Sequence, residues 1–390
     1  MRRGLAAAGG WVCRIQLFHA DFKKPLAPNR LHDGLRHGIH PSHVSLASPI
    51  HWPSAEREQA FAQWLVRMAQ THAIDPSSVR AASADASFRR YFRVDGAQGS
   101  RVVMDAPPTH ENCHPFVHVS GMLVGAGLHA PQVLDWDEPQ GFMLLSDLGD
   151  ITYLQALQGK DATQAKAHYS KALDALVKMQ GIASENELPP YDRALLQREL
   201  DLFPEWYVKR QCAVELSDAQ RDTLTRSFEL ILQTCLAQPR VMVHRDYHSR
   251  NLMLSDPAPG ILDFQDAVHG PITYDLASLL RDAYIEWDEE VQIDWAVRYW
   301  ERARRARLPV AADFGEFWRD FEWMGLQRHI KVLGIFARLY HRDGKDGYLK
   351  DLPLVWRYAH RVCVRYAPLT PLAQLLEQLA GTQRESGYTF

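Results

Sequence analysis

The sequence has no apolar run approaching the roughly 18 to 20 residues that a membrane-spanning helix needs. No membrane association is expected from it. Cysteine is scarce as well: Cys13, Cys113, Cys212, Cys235 and Cys363 are odd in number, widely scattered and include no CxxC pair. This excludes the spacing of a disulfide framework or a zinc site and fits buried thiols in the reducing cytoplasm. An excess of either charge is also missing, since 44 Lys and Arg against 47 Asp and Glu leave a formal net charge of −3. No overall field gathers nucleic acid or an anionic membrane, so neither is an expected partner. There is no repeat of solenoid period and no low-complexity tract after residue 55.

What the chain does have is apolar mass. In 390 residues, 46% are hydrophobic, which is enough for a large core. Residues 1–53 stand apart from the rest. The start, "MRRGLAAAGGWVC", is basic and then briefly apolar, but Arg14 interrupts it and no clean small-x-small cleavage site follows. From His19 to Pro53 the chain is rich in His, Pro, Ser and Gly without period, which predicts a disordered extension or a misassigned start.

From Ser54 a capped helix is expected, with Phe61, Trp64, Leu65 and Met68 at helical spacing. "SFRRYFRV" (87–94) and "RVVMDA" (101–106) alternate around a glycine-containing turn and read as a hairpin. "PFVHVSGMLVGAGL" suits a helix ending at glycine, and "PQVLDWDEPQGFMLLSDLG" offers two further strands. Beyond Ile151, "ITYLQALQ", "AKAHYSKALDALVKMQ" and "RALLQRELDLFPEWYVKR" carry helical apolar spacing. A small β-rich unit precedes a larger helical one.

The stretch "VMVHRDYHSRNLML" (241–254) packs His244, Arg245, Asp246, His248 and Asn251 between two apolar runs, and "ILDFQD" brings Asp263 twelve residues after Asn251. Read as strands, these runs deliver two carboxylates and one amide to the same end of a hairpin. Phosphoryl transfer from ATP asks for that set: one group to align the attacking hydroxyl, and hard oxygen ligands for the Mg²⁺ that bridges the phosphates. An Asp in a turn is commonly only a turn former, and His244 equally suits a structural role bonding loop carbonyls.

"HRDYHSRN", followed by "ILDFQD" and "GPITYDLASLLRDAY", resembles the aminoglycoside phosphotransferase family more than the protein kinases, because no A-P-E segment follows. The resemblance covers roughly residues 55–375. It implies an α+β, bilobal, protein-kinase-like fold with a nucleotide-binding N-lobe (54–147), a catalytic and acceptor-binding C-lobe (148–380) and a tail (381–390). "ASFRRYFRV", "VVMDAPP", "GFMLLSDLGD" and "GLQRHIKVLGIFARL" are similar to the family's anomeric kinases of bacterial cell-wall recycling, whose acceptors are the amino sugars N-acetylmuramate and N-acetylglucosamine. Homoserine, choline or an aminoglycoside remain alternative acceptors.

Carried over residue by residue, the resemblance implies that Asp246 orients the C1 hydroxyl, supported by His244, Arg245 and His248. Asn251 and Asp263 would hold Mg²⁺, and Asp275 would brace the loop from the core. Ser87, in the phosphate-covering segment, and Leu145, Ser146 and Asp147, in the hinge, would contact ATP. One departure stands out: the third strand has Met104 and Asp105 where the fold supplies a lysine to the phosphates. Arg89, Arg90 and Arg93 are the candidate replacements, Arg90 on one face and the other two on the opposite face. The missing lysine leaves a catalytically silent nucleotide or sugar sensor as the alternative. On "FWRDFEWMGLQRHIKVLGIFARLYHR", Arg328 is the expected reader of the N-acetylmuramate carboxylate, with Arg281, Gln327 and Lys331 beside it or, equally, on a solvated face.

Overall fold

The computed structural model describes residues 50–84 and 88–381. Most of the 1–53 extension, Cys13, Ser87 and the tail beyond Gly381 lie outside the described residues.

Ser54 caps α1 (Ala55–His72) by accepting the Arg57 N–H at 3.2 Å, and Glu56 and Glu58 sit in the first turn, where the helix dipole favours carboxylates. Phe61, Trp64, Leu65 and Met68 form its buried face, as their spacing requires. That face covers an antiparallel sheet of order β1-β2-β3-β5-β4, comprising β1 (Ile74–Ala84), β2 (Arg90–Gly96), β3 (Arg101–Asp105), β4 (Val133–Asp137) and β5 (Phe142–Ser146). The sequence reading did not single out β1, an edge strand that carries Pro76 and few apolar residues. The β4–β5 turn closes at Gly141, where φ is +70° and a Cβ would sit 2.0 Å from the Ala106 carbonyl oxygen.

Alternation divides the two faces of this sheet. Phe92, Val94, Val103, Phe142 and Leu144 meet α1. Tyr91, Met104, Met143 and Leu145 face α2 (His114–Gly125) and the helical lobe.

Packing begins before Ser54. Ile50 and Trp52 join the α1 cluster, with the Trp52 ring centred 4.8 Å from Phe61 and 5.6 Å from Phe92 and the Arg90 guanidinium 4.4 Å above it. Ile50 and Trp52, expected as part of the extension, thus pack against the first lobe. Trp52→Ala should destabilise the protein by about 1.5–3 kcal/mol, below the range for a fully buried aromatic because the ring is half-buried. An unchanged urea midpoint would show that this packing contributes nothing.

The rest of the chain is mainly helical. The run read as one helix is two segments, Arg193–Leu200 and a π-helical Phe203–Gln211, separated where Pro204 lacks an N–H. A long helix, Phe314–Asp343, is buried almost all round between Phe321 and Gly334. Gly334 lets it approach Leu202 so closely that a Cβ would lie 2.5 Å from the Leu202 carbonyl carbon. Four short strands lie near the first lobe: β6 (Arg240–Val243), β7 (Leu252–Met253), β8 (Gly260–Ile261) and β9 (Val268–Pro271). β6 pairs with β9 and β7 with β8, while single bridges join Met253 to Thr152 and Gly260 to His129. Cys113, Cys212, Cys235 and Cys363 are buried. Among the described residues no helix is long and apolar enough to cross a membrane.

Candidate active site

The loop after β6 is built on one buried carboxylate. Asp275, in the helix Tyr274–Leu280, accepts the main-chain N–H groups of His244 at 2.6 Å and Arg245 at 3.0 Å. Burial drives its carboxyl up to about 7 although both N–H groups favour the ionised form. This fixes a sharp turn in which Arg245 has φ of 78°, in the left-handed region that non-glycine residues avoid. Arg245 points down from the turn, and its guanidinium meets Glu199 at 2.7 Å. His244 is fully buried and burial pushes its pKa down to about 4, so the ring is neutral; its Nδ1 accepts the Asp246 N–H at 3.3 Å. Both residues shape the loop from beneath and neither faces the opening.

Asp246 does face it, with 42% of its side chain exposed. Burial of the surroundings raises its carboxyl, but Lys331, His248, Arg328 and Arg245 more than reverse this and hold it below the usual carboxylate range. The His248 Nε2 lies 4.0 Å from Asp246 Oδ1. Burial lowers the His248 pKa despite Asp282 and Asp246 nearby, so this ring too is neutral at pH 7. Asp282, buried in the run "SLLRDAY", anchors the far side of the loop by accepting the N–H groups of Ser249 at 2.9 Å and Tyr284 at 3.0 Å.

The expected single hairpin is two. Asp246 leaves β6, whose partner is β9, whereas Asn251 and Asp263 flank the β7–β8 pair. The Asn251 amide joins the two, donating to the Asp246 carbonyl at 3.0 Å and to Asp263 Oδ2 at 3.2 Å, which leaves its own carbonyl oxygen as an acceptor. Asp263 also has positive φ, 63°, and takes a hydrogen bond from Gln265 at 2.9 Å. Among the described residues no cluster of three or more His, Cys, Asp and Glu side chains could hold a metal by itself. One amide and one carboxylate do fit Mg²⁺ that is completed by phosphate oxygens and water.

On the first lobe the arginines separate. Asp105 is fully buried and points to α1, where Arg57 and Arg90 bind it and Arg90 also donates to the His51 carbonyl at 2.9 Å. Arg90 is therefore corrected from nucleotide contact to structural ion pair, and the Asp105 carboxylate is compensated by Arg57 and Arg90 on the α1 side of the sheet. Arg93 is clamped by Asp147 at 2.6 and 3.0 Å and by the Gly149 carbonyl at 2.9 Å. Asp147 also accepts from Ser100 at 2.7 Å, so its side chain is committed to the hinge. The Ser146 N–H is taken by the Gln132 carbonyl at 3.0 Å, and Leu145 lies between β3 and β4 with its side chain in the core. These commitments occupy the Ser146 N–H and the Asp147 side chain. Arg89 shares the face of Met104, with its Nε 3.7 Å from Glu111 just ahead of α2.

Residues 78–312 match the sequence model of the phosphotransferase enzyme family. The chain belongs to that family. A Neisseria meningitidis relative named N-acetylmuramate/N-acetylglucosamine kinase is 51% identical over 312 residues, covering 79% of this chain and 93% of the relative. A Pseudomonas aeruginosa protein of the same name is 49% identical over 306 residues, covering 78% and 90%. Among solved structures, the ADP-bound aminoglycoside phosphotransferase APH(2'')-Ib superposes with a TM-score of 0.51 at 14% identity, covering 79% of this chain and 98% of that one. This likeness establishes the bilobal protein-kinase-like fold of the phosphotransferase.

The acceptor side of this phosphotransferase departs most from the sequence reading. Arg281 is fully buried, bound to Gln292 at 3.1 Å and Glu322 at 3.0 Å, and cannot meet a ligand. Gln327 and Lys331 are buried against Glu199 at 3.2 and 2.8 Å, and Lys331 also donates to the Tyr274 hydroxyl at 3.0 Å. They belong to the network under Arg245 and not to a solvated or substrate-facing surface. Arg328 is 3% exposed, and its Nε and Nη1 are shut off from solvent with no hydrogen-bond partner among the described residues. Its planar fork is not presented to an acceptor; it acts on Asp246 as a buried positive charge. Two residues absent from the sequence reading occupy the opening instead: Arg250, next to Asn251, lies 3.8 Å over the ring of Tyr284.

Proposed function

We propose that this phosphotransferase moves the γ-phosphoryl group of ATP to the anomeric C1 hydroxyl of N-acetylmuramate and N-acetylglucosamine, as a cytoplasmic step of peptidoglycan recycling. The observation that carries the reading is 51% identity to a relative bearing that name, over 93% of the relative's length. The geometry supports the reaction class. Asp246 is an open, ionised carboxylate suited to orient the hydroxyl and take up its proton. An anomeric hydroxyl is more acidic than an ordinary alcohol, so holding it in line matters more than a strong base. The neutral His248 lines the same spot and adds no charge that would compete for the γ-phosphate. Asn251 and Asp263 would hold Mg²⁺, which when bound offsets the negative charge shared by the phosphates.

For the cation of the missing lysine, Arg89 is the choice. Arg90 lies on the α1 side of the sheet with Asp105, whereas Arg89 precedes β2 on the side of Tyr91 and Met104, where it pairs with Glu111. Arg89→Ala should weaken ATP binding by about 10- to 100-fold, the scale of a charge-assisted contact, with a smaller change in kcat at saturating ATP. A calorimetric ATP titration that matched the wild type would remove Arg89 from the nucleotide site.

The function itself is tested by ATP consumption against a panel of amino sugars, homoserine, choline and aminoglycosides, with phosphorus NMR of the product. The expected result is a sugar 1-phosphate from both N-acetylated sugars. Turnover confined to another acceptor, or nucleotide binding without any turnover, would overturn it.

A further inference from the structure

We infer that Arg250, held over the ring of Tyr284, reads the carboxylate of N-acetylmuramate and so sets the preference between the two sugars; the inference rests on the acceptor reading above. Arg250 belongs to the catalytic loop and immediately precedes Asn251. Its guanidinium lies 3.8 Å from the centre of the Tyr284 ring and 5.2 Å from that of Tyr348. Phe336 backs both tyrosines, at 6.0 and 5.1 Å. The contact with the two rings restricts where the guanidinium can lie, and it makes no hydrogen bond or ion pair among the described residues. A planar fork held in place by its neighbours and not spent on a protein carboxylate is what bidentate carboxylate recognition requires.

The location fits the acceptor. Arg250 and Tyr284 line an open cleft of about 480 Å³, a size suited to a single sugar. Tyr284 meets the His248 ring edge-on at 5.5 Å, and His248 is 4.0 Å from the Asp246 carboxylate. The cleft thus lies beyond the His248 and Tyr284 rings from the Asp246 carboxylate. In a hexosamine, C1 and C3 are separated by one ring carbon, and the lactyl group of N-acetylmuramate hangs from O3. In the proposed pose, a sugar with C1 at Asp246 directs that group toward Arg250 at the cleft's edge.

Charge favours the same occupant. Lys160, Arg250 and Lys350 line the cleft against Glu286 and Asp351. Glu286 is already paired with Arg357 at 2.6 Å. Burial pushes the Asp351 carboxyl up against the pull of Lys350 and Arg250. The remaining balance is positive, which suits an anionic sugar and disfavours a polycation.

The test measures kcat/KM for N-acetylmuramate, N-acetylglucosamine and the carboxamide of N-acetylmuramate in the wild type, Arg250→Ala and Arg250→Lys. The ratio of N-acetylmuramate to N-acetylglucosamine should fall by about 10- to 150-fold in Arg250→Ala and by less in Arg250→Lys, which keeps the charge and loses the fork. The wild type should discriminate against the carboxamide, and Arg250→Ala should not. An unchanged ratio in both variants, or undiminished discrimination against the carboxamide in Arg250→Ala, overturns the inference while leaving the sugar-kinase reading intact. A wild type that phosphorylates neither sugar overturns that reading and the inference with it. The lysine variant guards against misfolding, since it preserves the stem and the charge over Tyr284.

Discussion

Asp246→Asn should lower kcat by about 10²–10⁴-fold with little change in nucleotide affinity, the usual scale for losing a positioned acid or base. The substitution keeps the hydrogen bonds of the loop and removes one negative charge that faces the buried Arg328 and Lys331. The hydrogen bonds that Asp246 makes within the loop run through its main chain: its N–H donates to His244, and its carbonyl accepts from the His248 N–H and the Asn251 amide. The carboxylate itself is open to the cleft, so an amide of the same shape fits without leaving a buried group unpartnered. The variant should therefore fold, with some loss of stability from losing the charge facing Arg328 and Lys331, and still bind ATP. Its failure is then a failure of the chemical step.

The pH dependence follows from the same surroundings. Lys331, His248, Arg328 and Arg245 hold the Asp246 carboxyl below its ordinary value of about 3.9. Its useful, ionised form is present above that depressed pKa and is lost only as pH falls through it. The acid limb of kcat/KM due to this group should accordingly lie below about pH 4, leaving the neutral range flat in this respect. Near-normal turnover in Asp246→Asn, or an acid limb near pH 6 that the variant abolishes, would contradict this account.

Much of this site was legible because its chemistry is local in sequence. Asp246 and Asn251 share one loop, and Asp263 follows a short apolar run, so spacing alone brings all three forward. The hairpins around residues 87–106 and 131–149 and the apolar face of α1 were equally legible from period and turn residues. The strand partners in the second lobe were not, because β6 and β9 pair across 24 intervening residues and each is only four residues long. Two-residue strands such as β7 and β8 have too few positions to show alternation.

Burial of charge was the harder matter. Alternation correctly put Arg90 opposite Arg89 and Arg93, but which face meets α1 depends on tertiary packing. On the Phe314–Asp343 helix, a polar stripe normally marks a solvated face. Here Glu199 arrives from another helix to satisfy Gln327 and Lys331, and Glu322 faces Arg281. A hint did exist: Glu199 falls on the same apolar face as Leu196 and Leu200, an expensive place for an unpaired carboxylate. Arg250 gave no such hint, since the two tyrosines that orient it come from positions 34 and 98 residues away.

Asp263→Ala should remove measurable turnover, a loss of at least about 10³-fold, because the proposed metal position keeps only the Asn251 oxygen among its protein ligands. Alanine alone is an imperfect probe here. Asp263 has φ of 63°, a conformation that aspartate and asparagine tolerate and alanine resists, so the alanine variant also strains the turn after β8. Asp263→Asn separates the two effects: it keeps the backbone preference and one of the two acceptor oxygens that take hydrogen bonds from Asn251 and Gln265, while removing the negative charge. Both variants should be inactive, and the asparagine variant should keep the wild-type melting temperature. Asn251→Ala should act more mildly, raising the Mg²⁺ concentration for half-maximal rate while Asp263 still binds. It also removes the two bonds that tie the Asp246 carbonyl to Asp263, so kcat should remain reduced even at saturating Mg²⁺. Wild-type magnesium profiles in Asp263→Asn and Asn251→Ala together would show that the cation is held elsewhere, and would reduce the link between β7–β8 and Asp246 to a structural one.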